Sequence, residues 1–221
     1  WVHERVVQCS ILDLTVVGTC DQEIYDYIES IGGRAVMTSS KHERASDRCA
    51  EALLNVEKEI GYRFDAVVMV QGDEPMTHPD MIVEALSPML ENSAIQVVNL
   101  LGEIHDSTEF EDRNCIKVVC DSVGNALYFS REPIPTRAKA SKIQMKKQVC
   151  IIPFRRDFLI EYTNLPPTPL ELAESIDMLR VLENGMKVHM EPTRHQSFAV
   201  DTAEDVVRVE TALRAELNIV G

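Results

Sequence analysis

Apolar and polar positions along this chain follow two rhythms in turn. Short, solid apolar runs of the kind buried strands carry are separated by stretches with helical spacing. Strands are expected at Leu14–Val17, Ala35–Met37, Ala66–Val70, Ile95–Leu100 and Ile116–Val119, and helices at Gln22–Ile31, Ser46–Ile60 and Pro79–Glu91. Ser46 is a candidate N-cap, Gly61 a candidate C-cap, and Pro79 sits where a first-turn proline belongs. A helix-like segment, Val2–Gln8, precedes the first strand. Such alternation predicts an α/β fold, a mostly parallel mixed sheet with helices on both faces.

The pattern loosens after Asp121. Asn125–Ser130 reads as a strand, followed by the proline-punctuated Arg131–Pro135 and a basic stretch, Arg137–Lys147, that reads as a mobile loop. Val149–Phe154 is strand-like, and Pro166–Pro169 introduces a helix over Leu170–Glu183 that Asn184-Gly185 stops. Val188–Met190 is a short strand, and Asp201-Thr202 opens a final helix from Ala203 to about Leu217. With no internal repeat, residues 1–221 read as one domain.

Charge narrows the function classes. A net charge of −14 argues against a general nucleic-acid binder, which needs a basic footprint. An anionic ligand would have to be met by arginines gathered locally. The six cysteines form no CxxC pair and no metal spacing, so reduced thiols in a cytoplasmic protein are expected. No apolar run approaches the roughly 18–20 residues that a membrane span needs.

The richest stretch is Val67-Val68-Met69-Val70-Gln71-Gly72-Asp73-Glu74-Pro75. Ligands of open α/β sheets sit outside the carboxyl ends of the strands, and this strand delivers a carboxylate there. Magnesium is commonly held by one or two carboxylates together with substrate phosphates, so Asp73 is a candidate metal ligand. The plain alternative is a strand ending in a polar turn. Asp201 closes a second apolar strand in the same manner. Taken alone it is better explained as a helix cap, because Asp-Thr-x-Glu-Asp is a good helix opening. Two strand-terminal aspartates in one sheet shift that balance towards a shared metal.

Lys41–Arg48 lies between strand and helix, where free backbone N–H groups suit an anion and Arg48 would add a forked donor. The alternative is that Arg44 and Arg48 form a solvated i,i+4 pair. Arg131, Arg137, Arg155, Arg156 and Glu174 are each ordinary surface residues singly. Together they could line a pocket for a carboxylate sugar.

Taken in order, Val70–Pro75, Gly124–Arg131 with Pro133-Ile134-Pro135, Leu179–Gly185 and Val200–Asp205 resemble the 3-deoxy-manno-octulosonate (Kdo) cytidylyltransferases over nearly the whole chain. The resemblance implies a nucleotide-diphospho-sugar transferase (glycosyltransferase-A-like) fold, with a sugar-binding and dimerisation subregion at about 125–195. It implies an enzyme that joins CTP to Kdo with Mg²⁺, giving CMP-Kdo for lipopolysaccharide or capsule synthesis, and that works as a homodimer. Carried over by position, Asp73 and Asp201 hold the metal and Gln71 lies near the reacting centre. Ser46 and Arg48 fall on the nucleotide side, and Arg131, Arg137, Gln148 and Glu174 on the sugar side.

Departures from the family pattern carry their own expectations. The chain lacks the family's opening strand and its Gly/Arg/Lys-rich loop, so an N-terminally truncated chain with impaired turnover is expected. Cys20 replaces an aspartate. Gln148 replaces a histidine, which keeps hydrogen bonding, loses a titratable group and admits a sialic-like acid as substrate. A non-catalytic nucleotide-binding remnant is the alternative from another class.

Overall fold

The computed structural model describes residues 1–139 and 143–219, with side chains of the last helix described as far as 215. In chain order the elements are α1 (Val2–Val6), β1 (Val17–Thr19), α2 (Gln22–Ser30), β2 (Ala35–Met37), α3 (Ala45–Ile60), β3 (Ala66–Val70), α4 (Pro79–Glu91), β4 (Val98–Ile104) and α5 (Ser107–Glu111). There follow β5 (Lys117–Cys120), β6 (Ala126–Ser130), β7 (Met145–Val149), β8 (Ile151–Arg155), α6 (Arg156–Thr163), α7 (Pro169–Glu174), α8 (Met178–Glu183), β9 (His189–Pro192) and α9 (Ala203–Ile219).

Period-two alternation in β3 sends its side chains into two different cores. Val67 and Met69 join Ile152, Phe154 and Val97 against Leu53 of α3 and Phe158, Leu159 and Tyr162 of α6. Val68 and Val70 join Ile151, Leu100 and Val149 against Met81, Ile82 and Ala85 of α4. Met81, Ile82 and Ala85 have no exposed surface, so each large side chain here contributes about 1.5–3 kcal/mol of burial. Helices therefore cover both faces, as the sequence predicts.

The sheets are mixed, but parallel pairing does not dominate among the described residues. β1–β2 and β4–β9 are parallel, whereas β3–β8, β4–β7, β5–β6 and β5–β7 are antiparallel. Of the antiparallel pairs only β5–β6 joins consecutive strands, through a short turn, while β7 and β8 run back against β4, β5 and β3 from a stretch past Asp121 that has no helix between strands. A bridge between Val97 and Phe154 joins the β3–β8 ladder to the segment entering β4.

Several expected boundaries move. The first strand is Val17–Thr19, and the strand expected at Ile95–Leu100 runs over Val98–Ile104. The end of the expected loop Arg137–Lys147 is the start of β7, while residues 140–142 of it lie outside the described residues. The single helix expected over Leu170–Glu183 is two, broken at Ser175, whose φ of 54° is left-handed. That conformation costs a non-glycine residue roughly 1–2 kcal/mol. It is held by Arg44 Nη1 on the Ser175 hydroxyl at 2.8 Å and by Arg131 Nη2 on its carbonyl at 3.3 Å.

Candidate active site

The site forms where the end of β3, the β7–β8 connection and the segment entering α9 meet. Gln71 N donates to Cys150 O at 3.2 Å, so the turn after β3 leaves the sheet directly beside that connection. The turn is then stitched down by Glu74, which is only 3% exposed. Its carboxylate accepts from Cys150 N at 2.9 Å and from the Ser197 hydroxyl at 2.6 Å. Burial pushes the Glu74 carboxyl above the usual range, and these two bonds work against that rise. Lys147 completes the stitching by pairing with Glu109 and donating to Ser197 O at 2.6 Å.

With the arms fixed, Val200 N donates to Asp73 O at 2.9 Å, which brings the Asp201 arm against the Asp73 turn. One Asp73 carboxylate oxygen, Oδ1, is buried and has no hydrogen-bond partner. Burial raises the Asp73 carboxyl above its ordinary value, and the nearby charge of Asp201 raises it further. The Asp201 carboxyl is raised by burial and by Asp205, with Arg131 opposing.

Helix capping does not account for Asp201. Thr202 and Asp205 cap α9 between them: the Thr202 amide and hydroxyl donate to Asp205 Oδ2 at 2.9 and 2.8 Å, and Asp205 N donates back to Thr202 Oγ1 at 3.3 Å. The carboxylate of Asp201 stays outside that cap. Two carboxylates on adjoining arms, one with an orphaned oxygen and close enough to feel the other's charge, are an oxygen-only donor set of the kind that suits a hard divalent cation.

Gln148 shares one cleft with Asp201, Cys150, Phe198 and Arg208. Its amide nitrogen donates to Asn99 Oδ1 at 2.5 Å, and buried Asn99 is anchored in turn on Val149 O at 2.8 Å. Gln148 therefore presents a fixed, neutral amide to the cleft. Arg48 donates to Thr38 Oγ1 at 2.6 Å, which aims its guanidinium at the carboxyl end of β2.

The other expected site residues have different settings. Ser46 is fully buried and is not the N-cap of α3, a place taken by Arg44. Its hydroxyl donates to Asp177 Oδ2 at 2.6 Å, tying α3 to the start of α8. Arg44 and Arg48 are not a solvated pair either, since Arg44 turns to Glu171 and Asp177 at 3.4 and 3.7 Å. Glu174 accepts from the Ser130 hydroxyl and the Arg131 amide, both at 2.8 Å, and from Tyr128 at 3.2 Å. The Arg131 guanidinium is taken up by the carbonyls of Glu174, Arg113 and Ser175. Arg137 lies over Phe110 and lines a second cleft of about 350 Å³ with Ser107 and Gln144. Helix α5 divides the two clefts, with Glu109 facing the first and Phe110 the second.

Sequence reasoning missed Ser197 and Asn99, which carry no local signal. Glu74 and Lys147 were visible as residues, but their buried roles depend on contacts from distant segments.

Comparison with known proteins gives the family. A family profile described as Cytidylyltransferase matches residues 1–188, which places the chain among the nucleotidyl-transferring enzymes. The chain is 39% identical to the 3-deoxy-manno-octulosonate cytidylyltransferase of Geobacter sulfurreducens, over 96% of this chain and 87% of that protein. It is 38% identical to the enzyme of the same name from Fusobacterium nucleatum, over 95% of this chain and 83% of that one. A solved CMP:2-keto-3-deoxy-manno-octonic acid synthetase complexed with CTP superposes with a TM-score of 0.85 at 32% identity, covering 97% of this chain and 86% of that one. A 4-diphosphocytidyl-2C-methyl-D-erythritol synthase from Anaerococcus prevotii, at 13% identity and a TM-score of 0.58, shares the fold alone. The chain belongs to the 3-deoxy-manno-octulosonate cytidylyltransferase family.

Proposed function

We propose that this chain transfers the cytidylyl group of CTP to Kdo, forming CMP-Kdo and releasing pyrophosphate. The observation that carries the reading is the buried, unpartnered oxygen of Asp73 beside the Asp201 arm, in a chain of this family. Asp73 and Asp201 would hold Mg²⁺. When bound, that ion neutralises phosphate oxygens and makes the attacking sugar hydroxyl more acidic.

The remaining work falls to the chain's own residues. Arg48, aimed by Thr38, offers a forked cation to the phosphates at the carboxyl ends of β1 and β2. Gln148, locked by Asn99, orients the sugar by hydrogen bonding. Two anionic substrates repel each other, so fixed donors that hold both in line supply much of the rate. On the family resemblance we also infer a cytoplasmic homodimer that supplies lipopolysaccharide or capsule synthesis.

The neutral amide at Gln148 favours a second reading, in which the acceptor is a related acid such as a sialic-type sugar. The test is pyrophosphate release from CTP and Mg²⁺ with Kdo and with a panel of other acid sugars, alongside calorimetric titration of CTP–Mg²⁺. Kdo-dependent release is expected. Release with a sialic-type acid alone would move the substrate to the second reading. CTP binding with no release for any sugar would leave a nucleotide-binding protein.

A further inference from the structure

Arg48 is aimed by a loop, and that loop has a holder of its own. Thr38, buried just past the end of β2, is fixed to β1 by its amide, which donates to Thr19 O at 2.8 Å. Arg48 Nη1 donates to the Thr38 hydroxyl at 2.6 Å and, more weakly, to Ser39 O at 3.4 Å. The chain then passes through a turn at Ser40-Lys41 to Arg44, where α3 begins. The direction of the guanidinium therefore depends on the path of residues 38–42. Its stem is already seated. A Cβ on Gly18 of β1 would stand 3.2 Å from Ala52 Cβ and 3.8 Å from Arg48 Cγ, so α3 lies close upon that strand.

Glu51 fixes the rest of the path. It stands three residues after Arg48, on the same face of α3. Its Oε2 accepts the Ser39 amide at 2.9 Å and also the Nε2 of His42, so one oxygen ties both ends of the turn to the helix. Inside the turn, Ser39 Oγ accepts the Lys41 amide at 3.2 Å. Ser39 is thus gripped at its amide by Glu51 and at its carbonyl by Arg48. The Ser39 amide first, and His42 second, hold the Glu51 carboxyl below its ordinary value, so it is an anion at neutral pH. An anion three residues from a phosphate-binding arginine opposes the phosphates. What it contributes is the fixed loop.

We propose that Glu51 is a positioning residue for the nucleotide, holding the β2–α3 loop through Ser39 and His42 and so setting the aim of Arg48. The proposal rests on the reading of Arg48 as a donor to the phosphates of CTP, and it gives Glu51 no contact with substrate. Charge and position act in opposite directions here. Removing a charge that acts only through space would tighten CTP, whereas removing the holder of the loop weakens it.

The test titrates CTP–Mg²⁺ calorimetrically into the full chain and into Glu51→Met, Glu51→Gln and His42→Ala. KM values for CTP and for Kdo are read from pyrophosphate release, and melting temperatures are followed alongside. Glu51→Met should weaken CTP binding by about tenfold or more and leave the KM for Kdo at the parent's value. Glu51→Gln keeps an acceptor for the Ser39 amide and should recover most of that loss. His42→Ala should lose less than Glu51→Met, and the double variant no more than Glu51→Met alone, because the two residues act as one unit. Tighter CTP binding in both Glu51 variants overturns the proposal, as does unchanged affinity or a loss shared equally by the two KM values. If Glu51→Met melts early, His42→Ala decides: weaker CTP binding at an unchanged melting temperature supports the proposal, and unchanged binding overturns it. A parent that binds CTP but releases no pyrophosphate with any acid sugar overturns the transfer reaction alone, and the calorimetric series still decides the role of Glu51. A parent that does not bind CTP overturns both.

Discussion

Glu171 and Asp73 are both carboxylates withdrawn from water, and their surroundings treat them in opposite ways. Glu171, with no exposed surface, accepts Arg180 Nε at 2.7 Å, Arg180 Nη2 at 2.6 Å and the Thr168 amide at 3.2 Å. Arg44 stands 3.4 Å away as a second cation. Asp73 has an oxygen with no partner, and its nearest contributing charge is another carboxylate. A buried charge with every lone pair filled holds structure together. One left open next to a like charge destabilises the folded chain, and that is the carboxylate to which the proposed function assigns a cation.

The sharpest way to break that contrast is Asp73→Asn. Several kcal/mol of charge stabilisation would go, so cytidylyl transfer should fall by about 10²–10³-fold or more. The melting temperature should not drop, because the lost oxygen has no protein partner. Pyrophosphate release and thermal unfolding measure the two sides, and normal turnover would remove Asp73 from the site. Arg180→Met tests the other half. It strands Glu171 without its main counter-charge, so stability should fall by about 3–5 kcal/mol, read as a lower urea midpoint at unchanged slope. A loss below about 1 kcal/mol would show that Glu171 does not depend on its partner.

These two clusters also show which parts of the molecule could be read from the chain. β3 and α4 fall at their expected bounds because an apolar run and a first-turn proline are local signals. The strand-end position of Asp73 follows from the same run. Asp205, three residues past Thr202, is an equally local sign that the cap of α9 does not need Asp201. Ser46 could not be read this way, since its partner Asp177 lies 131 residues on. The break at Ser175 is hidden for the same reason. Nothing within Leu170–Glu183 stops a helix there, and the arginines that hold the kink stand just after β6 and just before α3.

Glu174 sits between the two kinds of carboxylate and can be sorted experimentally. Its accepted bonds from Ser130, Tyr128 and Arg131 resemble those of Glu171, which points to a positioning role for α7 against β6. Glu174→Ala leaves those donors unpaired, so stability should fall by about 1–3 kcal/mol. The KM for the sugar should change less than stability does. A variant of unchanged midpoint whose sugar KM rises steeply would place Glu174 with the substrate instead.

The smallest effect is a dependence on pH, and here the two kinds of carboxylate differ in sign. The folded Asp73 carboxyl is raised above 3.8, so the folded chain holds its proton longer than the unfolded chain does. In that window stability falls as pH rises, and above it the full cost of the charge remains. Asp73→Asn should therefore be more stable than the parent at neutral pH without Mg²⁺. The advantage should vanish below the ordinary aspartate value, and added Mg²⁺ should cancel it by binding the parent alone. Glu57 runs the other way. Bonds from Arg156 at 3.0, 3.2 and 2.8 Å hold its carboxyl below 4.5. Its contribution is complete above that value and is lost as pH falls through the depressed one, so Glu57→Gln should cost stability at neutral pH and little in acid. Denaturant midpoints from pH 3 to 8 for the parent and both variants measure the opposed slopes. Parallel profiles for Asp73→Asn and Glu57→Gln would mean that Asp73 is satisfied in the folded chain, and the distinction between a filled and an open carboxylate would no longer mark the site.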